Sequence, residues 1–361
     1  MINAIRAAPR GRVRYLDLKV LAAIFAAHGL RTASAAEVAA PLNYFLHAAG
    51  PAATPTLRLG WVFAGICAGV CLIIAVLLTV AILRRRPVPL PGNPGDPGAL
   101  AATGGGSNWI YVGAGVSAVV LVAMLVYALM TLESVARPNG APSLTITVTA
   151  YDWWWKIAYA DSADPAQRFV TANEMHIPAG EPVKVELKSA DVIHAFWVPV
   201  LAGKTQTIPG QTNEQWIEAD RPGVYRGQCS QFCGAQHAHM ALEVIAQSRA
   251  DFAAWRAQQA QPHVQSTAAS PSVAAGQKLF DERCAGCHAI RGSSAVGAQA
   301  PDLTHLNTRR LIAAGMLSNT AANQLDWITH AQQIKPESMM PSMILSRDEA
   351  ADLSAFLATL R

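Results

Sequence analysis

The chain has 361 residues, of which 52% are hydrophobic and only 14% charged, against roughly 25% charged in a typical soluble protein. This composition excludes a disordered, highly charged or nucleic-acid-coating protein, and the length allows two or three ordinary domains. The net charge of +4 describes only one end, because residues 1–35 carry six basic side chains and one acidic one, leaving the rest near −1.

Arg6, Arg10, Arg12, Arg14 and Lys19 precede a short apolar stretch from Val20 to Ala27, and Ala33-Ser34-Ala35 follows. Residues 1–35 therefore read as a secretory signal peptide, with a basic start, an apolar segment too short for a bilayer and a small-residue cleavage site. His28 and Arg31 interrupt the pattern and leave an uncleaved amphipathic anchor as the alternative. Residues 36–59 then form an N-terminal periplasmic segment.

Residues 60–83 contain no charged side chain and meet the ~20 apolar residues needed to cross a bilayer. Residues 108–132 repeat this, and between them residues 84–107 open on Arg84-Arg85-Arg86 and are rich in Pro and Gly. The arginines place that loop in the cytoplasm, with Trp61, Trp109 and Tyr111 at the interfaces. The expected location is a bacterial-type inner membrane with two spans, lipid as a partner, no nucleic acid, and everything after Glu133 on the outer, periplasmic side. Cys67 and Cys71 sit one helical turn apart in the first span and read as small packing residues.

From 141 to 248 the pattern becomes short β-type runs, Thr145 to Thr149, Val183 to Leu187, Ile193 to Val200 and Gln215 to Ala219, separated by Pro-Gly turns. This predicts a β-sandwich or barrel, with seven basic against eleven acidic residues. Residues 249–272 are a helix, Asp251 to Ala260, and a flexible linker, Gln261 to Ser272. Residues 273–361 carry eight charges of each sign and read as a separate α domain with helices at Ala274 to Cys284, Thr308 to Ala314, Ala321 to His330 and Arg347 to Leu360. Ser346 with Glu349 three residues on is a capping box.

Two clusters carry chemistry. Cys284-Ala285-Gly286-Cys287-His288 is the attachment signature of c-type haem, two thiols for the porphyrin and an adjacent axial histidine. Half of a zinc site is the alternative, and no second ligand pair follows. A thioether or a second imidazole should complete the iron; Met339, Met340 and Met343 are downstream, with Met316 and His330 behind them. The second cluster, Cys229 to Met240, packs two thiols, His237, His239 and a thioether into twelve residues. That soft set suits copper, while a Cys229–Cys233 disulfide is possible outside the cytoplasm. His194, in Asp191-Val192-Ile193-His194, is a further ligand candidate from a neighbouring strand, and His176 reads as a surface histidine.

With these motifs in place, residues 36–260 resemble subunit II of haem-copper cytochrome c oxidases, and residues 273–361 resemble class I cytochrome c. The fusion resembles the caa-type oxidases. The implied fold is a multidomain membrane protein with a two-helix transmembrane hairpin, a cupredoxin-like β-sandwich or barrel and an all-α class I cytochrome c domain. The resemblance implies a binuclear copper A centre of two coppers bridged by Cys229 and Cys233, with His194 and His237 each on one copper and Met240 and the Gln231 carbonyl completing the shells. The family spacing selects His237 over His239. One covalent haem c is implied on Cys284 and Cys287, with His288 and Met340 axial, because the axial methionine commonly precedes a proline and here that pair is Met340-Pro341. In Tyr151-Asp152-Trp153-Trp154-Trp155, Trp153 occupies the position where electrons enter the copper site.

The function implied is that of a respiratory oxidase subunit, an enzyme component that takes electrons through its haem, passes them to copper and on to subunit I for oxygen reduction coupled to proton translocation. Expected partners are subunit I, subunit III and a donor such as soluble cytochrome c or a cytochrome bc complex. Gln231 stands where many relatives have a magnesium-holding glutamate, and Ser107-Asn108-Trp109 replaces a proton-channel glutamate, so neither role transfers. The alternative is a membrane-anchored haem and copper electron carrier serving a different terminal reductase. A copper-delivery protein is disfavoured by Met240, the tryptophans and the haem motif.

Overall fold

A computed structural model describes residues 46–84, 107–264 and 270–361. The signal peptide over 1–35, with its cleavage site, most of the 84–107 loop and the middle of the linker lie outside the described residues. The elements run α1 (Thr54–Leu83), α2 (Ser107–Ala136), β1 (Leu144–Tyr151), β2 (Trp154–Tyr159), β3 (Phe169–Ala172), β4 (Glu174–Pro178), β5 (Val183–Ser189), β6 (His194–Phe196), β7 (Thr205–Thr207), β8 (Asn213–Ile217), β9 (Gly223–Gln228) and β10 (Ala241–Gln247). They continue with α3 (Arg249–Ala260), α4 (Pro271–Arg283), β11 (Leu311–Ile312), β12 (Leu317–Ser318), α5 (Ala321–Ile334) and α6 (Arg347–Leu357).

Helices α1 and α2 are each 30 residues, about 45 Å at 1.5 Å per residue, so each outreaches a ~30 Å hydrocarbon core. Their leucines, isoleucines and valines point outward, which suits lipid and not water. Where the sequence reading begins the first span at Gly60, the helix begins at Thr54, because Pro55 sits in its first turn with φ preset for a helix start. The approach to that turn is built into the β domain. The Ala49 N–H donates to the Val200 carbonyl at 2.7 Å and the Asp220 N–H to the Ala49 carbonyl at 2.8 Å. Gly50 is required there, since a Cβ would stand 2.0 Å from the Glu218 carbonyl oxygen. At the end of α2 the Trp216 indole donates to the Val135 carbonyl at 2.9 Å. Both outer ends of the hairpin, the start of α1 and the end of α2, thus meet the β domain.

The β domain is a two-sheet cupredoxin-like sandwich. One sheet has the order β3-β2-β1-β5-β8 and the other β4-β10-β9, with β6-β7 as a separate ribbon. Alternation in β1 sends Leu144, Ile146, Val148 and Ala150 into the core while the threonines between them are half-buried, as a period of two demands. The expected strand from Ile193 to Val200 shrinks to His194–Phe196, because the chain turns ahead of Leu201, whose N–H bonds the Val198 carbonyl at 2.9 Å. Helix α3 closes the sandwich. Its Trp255 stacks on the His176 ring at 3.9 Å between centroids, and His176 also contacts Glu174 Oε1 at 3.0 Å and Gln247 Oε1 at 2.8 Å. His176 is therefore buried, which corrects the surface reading; strand β4 pairs with β10 on the covered side.

The last domain has its own core, with Leu279 and Phe280 of α4 against Leu353, Phe356 and Leu357 of α6. The two helices cross at Gly276, where a Cβ would lie 2.0 Å from the Asp352 carbonyl oxygen. The Ser346–Glu349 capping box forms at the start of α6. The expected helix from Thr308 to Ala314 is instead a 3-10 turn at Leu306–Thr308 and the β11–β12 hairpin. Ala313, Ala314 and Gly315 all have positive φ, a conformation outside any right-handed helix. The linker is also shorter than expected. The Gln261 carbonyl accepts from His305 Nε2 at 2.9 Å, the His263 N–H donates to the Arg291 carbonyl at 2.8 Å, and Ser270 caps α4.

Candidate functional site

Strand β9 ends at Gln228, and the loop from Cys229 to Met240 returns into β10. Its ends are clamped by the Cys229 N–H to the Met240 carbonyl at 2.9 Å and the Ser230 N–H to the Ala195 carbonyl at 3.0 Å, which sets the loop beside β6 and so beside His194. Cys229 Sγ lies 3.7 Å from Cys233 Sγ, 4.0 Å from His194 Nδ1 and 3.2 Å from the Gln231 carbonyl oxygen. Cys233 Sγ lies 3.5 Å from His237 Nδ1 and 4.0 Å from Met240 Sδ. The two cysteines are free, and 3.7 Å is far beyond a sulfur–sulfur bond of about 2.05 Å. His194 and Met240 are fully buried and Cys229 and Cys233 nearly so. His239 is exposed and turns to Gln236 Oε1 at 2.8 Å, away from the sulfurs.

Hydrogen bonding between the two sulfurs pushes the Cys229 thiol well below the ordinary range, and the same contact, with burial, pushes Cys233 up. Burial would lower His194, yet its hydrogen bonds to Asp191 and Cys229 prevail and raise it to about 9. Its Nε2 lies 2.8 Å from Asp191 Oδ1 and 3.7 Å from Asp152 Oδ1. That carboxylate fixes the ring so that Nδ1 faces the sulfurs, the support that metal-binding histidines ordinarily have. Thiols, imidazole nitrogens and a thioether converging in a buried place are a soft donor set, and this set fits copper.

The haem-attachment motif begins where α4 ends, and the Cys287 and His288 N–H groups both bond the Cys284 carbonyl, at 3.0 and 2.9 Å. His288 Nδ1 donates to the Pro301 carbonyl at 2.7 Å, and burial pushes the imidazolium down. The ring is thus neutral near pH 7, with Nε2 left as the free lone pair. It borders a cavity of about 270 Å³ shared with Cys284, Cys287, Met339, Met340 and Met343. Met339 is 79% exposed, so it is not a core-packing residue. Leu306, Ile312, Trp327 and Leu353 add apolar walls, and Arg283 and Arg309 add cations. Two thiols, a neutral imidazole, apolar walls and cations for an acidic edge fit a haem.

The same cavity is bordered by Trp153 and Trp154 of the β domain. Trp153 is 7% exposed, and its Nε1–H donates to the Cys233 carbonyl at 2.7 Å. Gly234 makes room for it, since a Cβ there would lie 2.9 Å from the indole. The three neighbouring tryptophans diverge. Trp155 is fully buried edge-on to His194 and Phe196, and Trp154 stacks on Tyr151.

Four contributors had no clear signal in the sequence, namely Asp191 behind His194, the Pro301 carbonyl behind His288, and Lys335 and Arg310, which join the domains. Only Asp191 was within reach of local reading, three residues before His194.

Residues 162–247 match the family model described as cytochrome c oxidase subunit II, periplasmic domain, and residues 273–361 match cytochrome c. The chain is similar to cytochrome c oxidase subunit 2 of Alkalihalophilus pseudofirmus, 36% identical over 223 residues, covering 62% of this chain and 62% of that protein. It is similar also to cytochrome c oxidase subunit 2 of Bacillus sp. (strain PS3), 28% identical over 230 residues, 61% of this chain and 63% of the other. The chain thus spans 62–63% of the length of these relatives. A solved structure, the periplasmic domain of subunit II of cytochrome oxidase (CoxB) of Bradyrhizobium japonicum, is 32% identical with a TM-score of 0.32, covering 34% of this chain and 96% of that one. One chain thus joins a domain similar to the periplasmic domain of cytochrome c oxidase subunit II, over residues 162–247, to one similar to cytochrome c, over residues 273–361.

Proposed function

We propose that this chain acts as a subunit II, receiving electrons at its cytochrome c domain and delivering them through its copper domain to subunit I of a respiratory oxidase, where oxygen is reduced to water and protons are translocated. The observation that carries this reading is the position of Trp153, which borders the cavity of Cys284, Cys287 and His288 and donates a hydrogen bond to the backbone of Cys233.

Cys284, Cys287, His288 and Met340 would hold the haem. Cys229, Cys233, His194, His237, Met240 and the Gln231 carbonyl would hold the two coppers of the second site. When bound, the two groups supply reversible one-electron chemistry at adjoining sites. The chain's own residues prepare those sites. Asp191 and the Pro301 carbonyl hold the two imidazoles in their working tautomers. Burial of Met240, His194 and Cys229 excludes water, so little solvent must reorganise as charge changes. Trp153 closes the gap between the sites with a covalent ring and one hydrogen bond. Gln231 carries no charge, so its side chain offers magnesium no carboxylate.

The partners proposed are subunit I, subunit III, membrane lipid around the hairpin, and a soluble cytochrome c or a cytochrome bc complex as donor. Purifying the membrane complex through a tag on this chain should yield a multi-haem oxidase subunit, a c-type haem band on this polypeptide and oxygen consumption. Recovery of the chain alone, with haem and without oxygen consumption, would favour a carrier for another terminal reductase and overturn the reading.

A further inference from the structure

The two redox domains touch through specific contacts. The Arg310 N–H donates to Glu174 Oε2 at 2.8 Å and its Nε to Glu243 Oε2 at 3.1 Å. The Ala241 N–H donates to the Ala314 carbonyl at 3.1 Å, and Gln259 Nε2 to Thr308 Oγ1 at 3.0 Å. One further contact is of a different kind. Lys335, the residue that ends α5, is 3% exposed, and its Nζ donates to the carbonyls of Trp153 at 2.7 Å and His239 at 2.9 Å.

We propose that Lys335 is a positioning residue that ties the cytochrome domain to the two copper-domain segments flanking the metal site, the turn bearing Trp153 and the loop bearing His237 and Met240. The proposal deepens the electron-transfer reading above and rests on it. A buried side chain that served only to fill space would be apolar, because burying an amine without partners is strongly unfavourable. Here the amine is buried and its two acceptors are backbone carbonyls from separate segments of the other domain. No carboxylate lies within ion-pair distance of it among the described residues. Burial lowers the lysine to about 7, and even the neutral amine keeps two N–H bonds, one for each carbonyl.

The consequence is local. Arg310, Ala241 and Gln259 dock the domains whether or not Lys335 is present. Lys335 instead sets where Trp153 stands relative to the cavity, since it holds the Trp153 carbonyl while the Trp153 indole holds Cys233. Its backbone also leads into the Met340 segment, because the Ser338 N–H bonds the Lys335 carbonyl at 3.2 Å. One residue therefore touches both sides of the gap that electrons would cross.

The test uses the full chain in its membrane complex, comparing wild type, Lys335→Met, Lys335→Gln and Arg310→Ala. Hydrogen exchange is followed in peptides covering residues 150–156, where the Asp152 and Trp155 N–H groups are bonded to Asp191 and Asn173. Lys335→Met should speed exchange there at least tenfold, change the copper paramagnetic resonance spectrum and slow haem-to-copper transfer at least tenfold. Lys335→Gln, which keeps donors on a shorter stem, should fall between it and wild type. Arg310→Ala should speed exchange in residues 310–315 while leaving 150–156 and the copper spectrum alone. Unchanged exchange in 150–156 on Lys335→Met, or equal acceleration there by Arg310→Ala, would overturn the proposal. If wild type itself carried no haem or copper signal, the electron-transfer reading would fail, and the exchange comparison would still decide whether Lys335 positions the turn.

Discussion

A Cys229→Ser chain should assemble with its haem and without its copper centre, and oxygen consumption by the complex should fall by more than about a hundredfold. Losing a supporting residue behind a ligand typically costs about 10–100-fold, and losing one of two shared thiolates should cost more. A hydroxyl is a hard donor that keeps its proton at neutral pH, whereas a thiolate is a soft ligand suited to copper. The remaining partners cannot compensate. Cys233, His194 and the Gln231 carbonyl all face the same sulfur, and serine would leave that place without a soft ligand. Metal analysis together with near-infrared absorption checks this. Retention of two coppers per haem in Cys229→Ser would move the metal elsewhere in the chain.

Trp153→Phe should leave haem and copper content unchanged yet slow transfer between them at least about tenfold, corresponding to a barrier higher by about 1.4 kcal/mol. Phenylalanine keeps a six-membered aromatic ring in the cavity wall and removes the five-membered part of the indole, with the Nε1–H that meets the Cys233 carbonyl. Leaving that buried carbonyl unsatisfied costs about 1–3 kcal/mol, so a modest loss of thermal stability should accompany the kinetic loss. The space opened by the smaller ring adjoins Gly234 and is bounded by backbone. Flash-induced electron injection into the haem, followed at the copper absorption, measures the rate. A wild-type rate in Trp153→Phe would show that electrons reach copper by another path.

Local chemistry and long-range geometry differ sharply in how much of this site a sequence discloses. Cys284 to His288 and Cys229 to Met240 are legible because their ligands are crowded into short stretches whose spacing has few other uses. The hairpin is legible because a bilayer demands long uncharged runs. The contact between domains is not, since Lys335 meets Trp153 across 182 positions and Arg310 meets Glu174 across 136. Nothing near Lys335 marks it as different from a solvated lysine until the copper domain is laid over it. The residues around Arg310 mislead in the same way. Thr308 to Ala314 has an ordinary helical composition, but there the Ala314 carbonyl is held by Ala241 and the Arg310 N–H by Glu174, and these contacts favour a hairpin. His176 lies on a short strand with little local sign of burial, and only α3 folding back with Trp255 covers it.

The charge pattern also changes meaning once the domains are docked. The acidic excess of the β domain includes Glu174 and Glu243, both buried and both bonded to Arg310 of the cytochrome domain. Part of that excess therefore serves the contact within the chain and is not available to a soluble donor. Trp153 is covered as well, so under the proposed function a donor would reduce the cytochrome domain and not this tryptophan.

The order of reduction tests this account most directly. The intact complex is mixed rapidly, without oxygen, with a reduced soluble donor, and the c-type haem and copper absorptions are recorded together. Haem reduction should come first and copper reduction should follow it, with Cys284→Ala/Cys287→Ala chains, which lack the haem, leaving copper oxidised on the same timescale. Copper reduction that precedes the haem, or proceeds at the wild-type rate without it, would contradict the account.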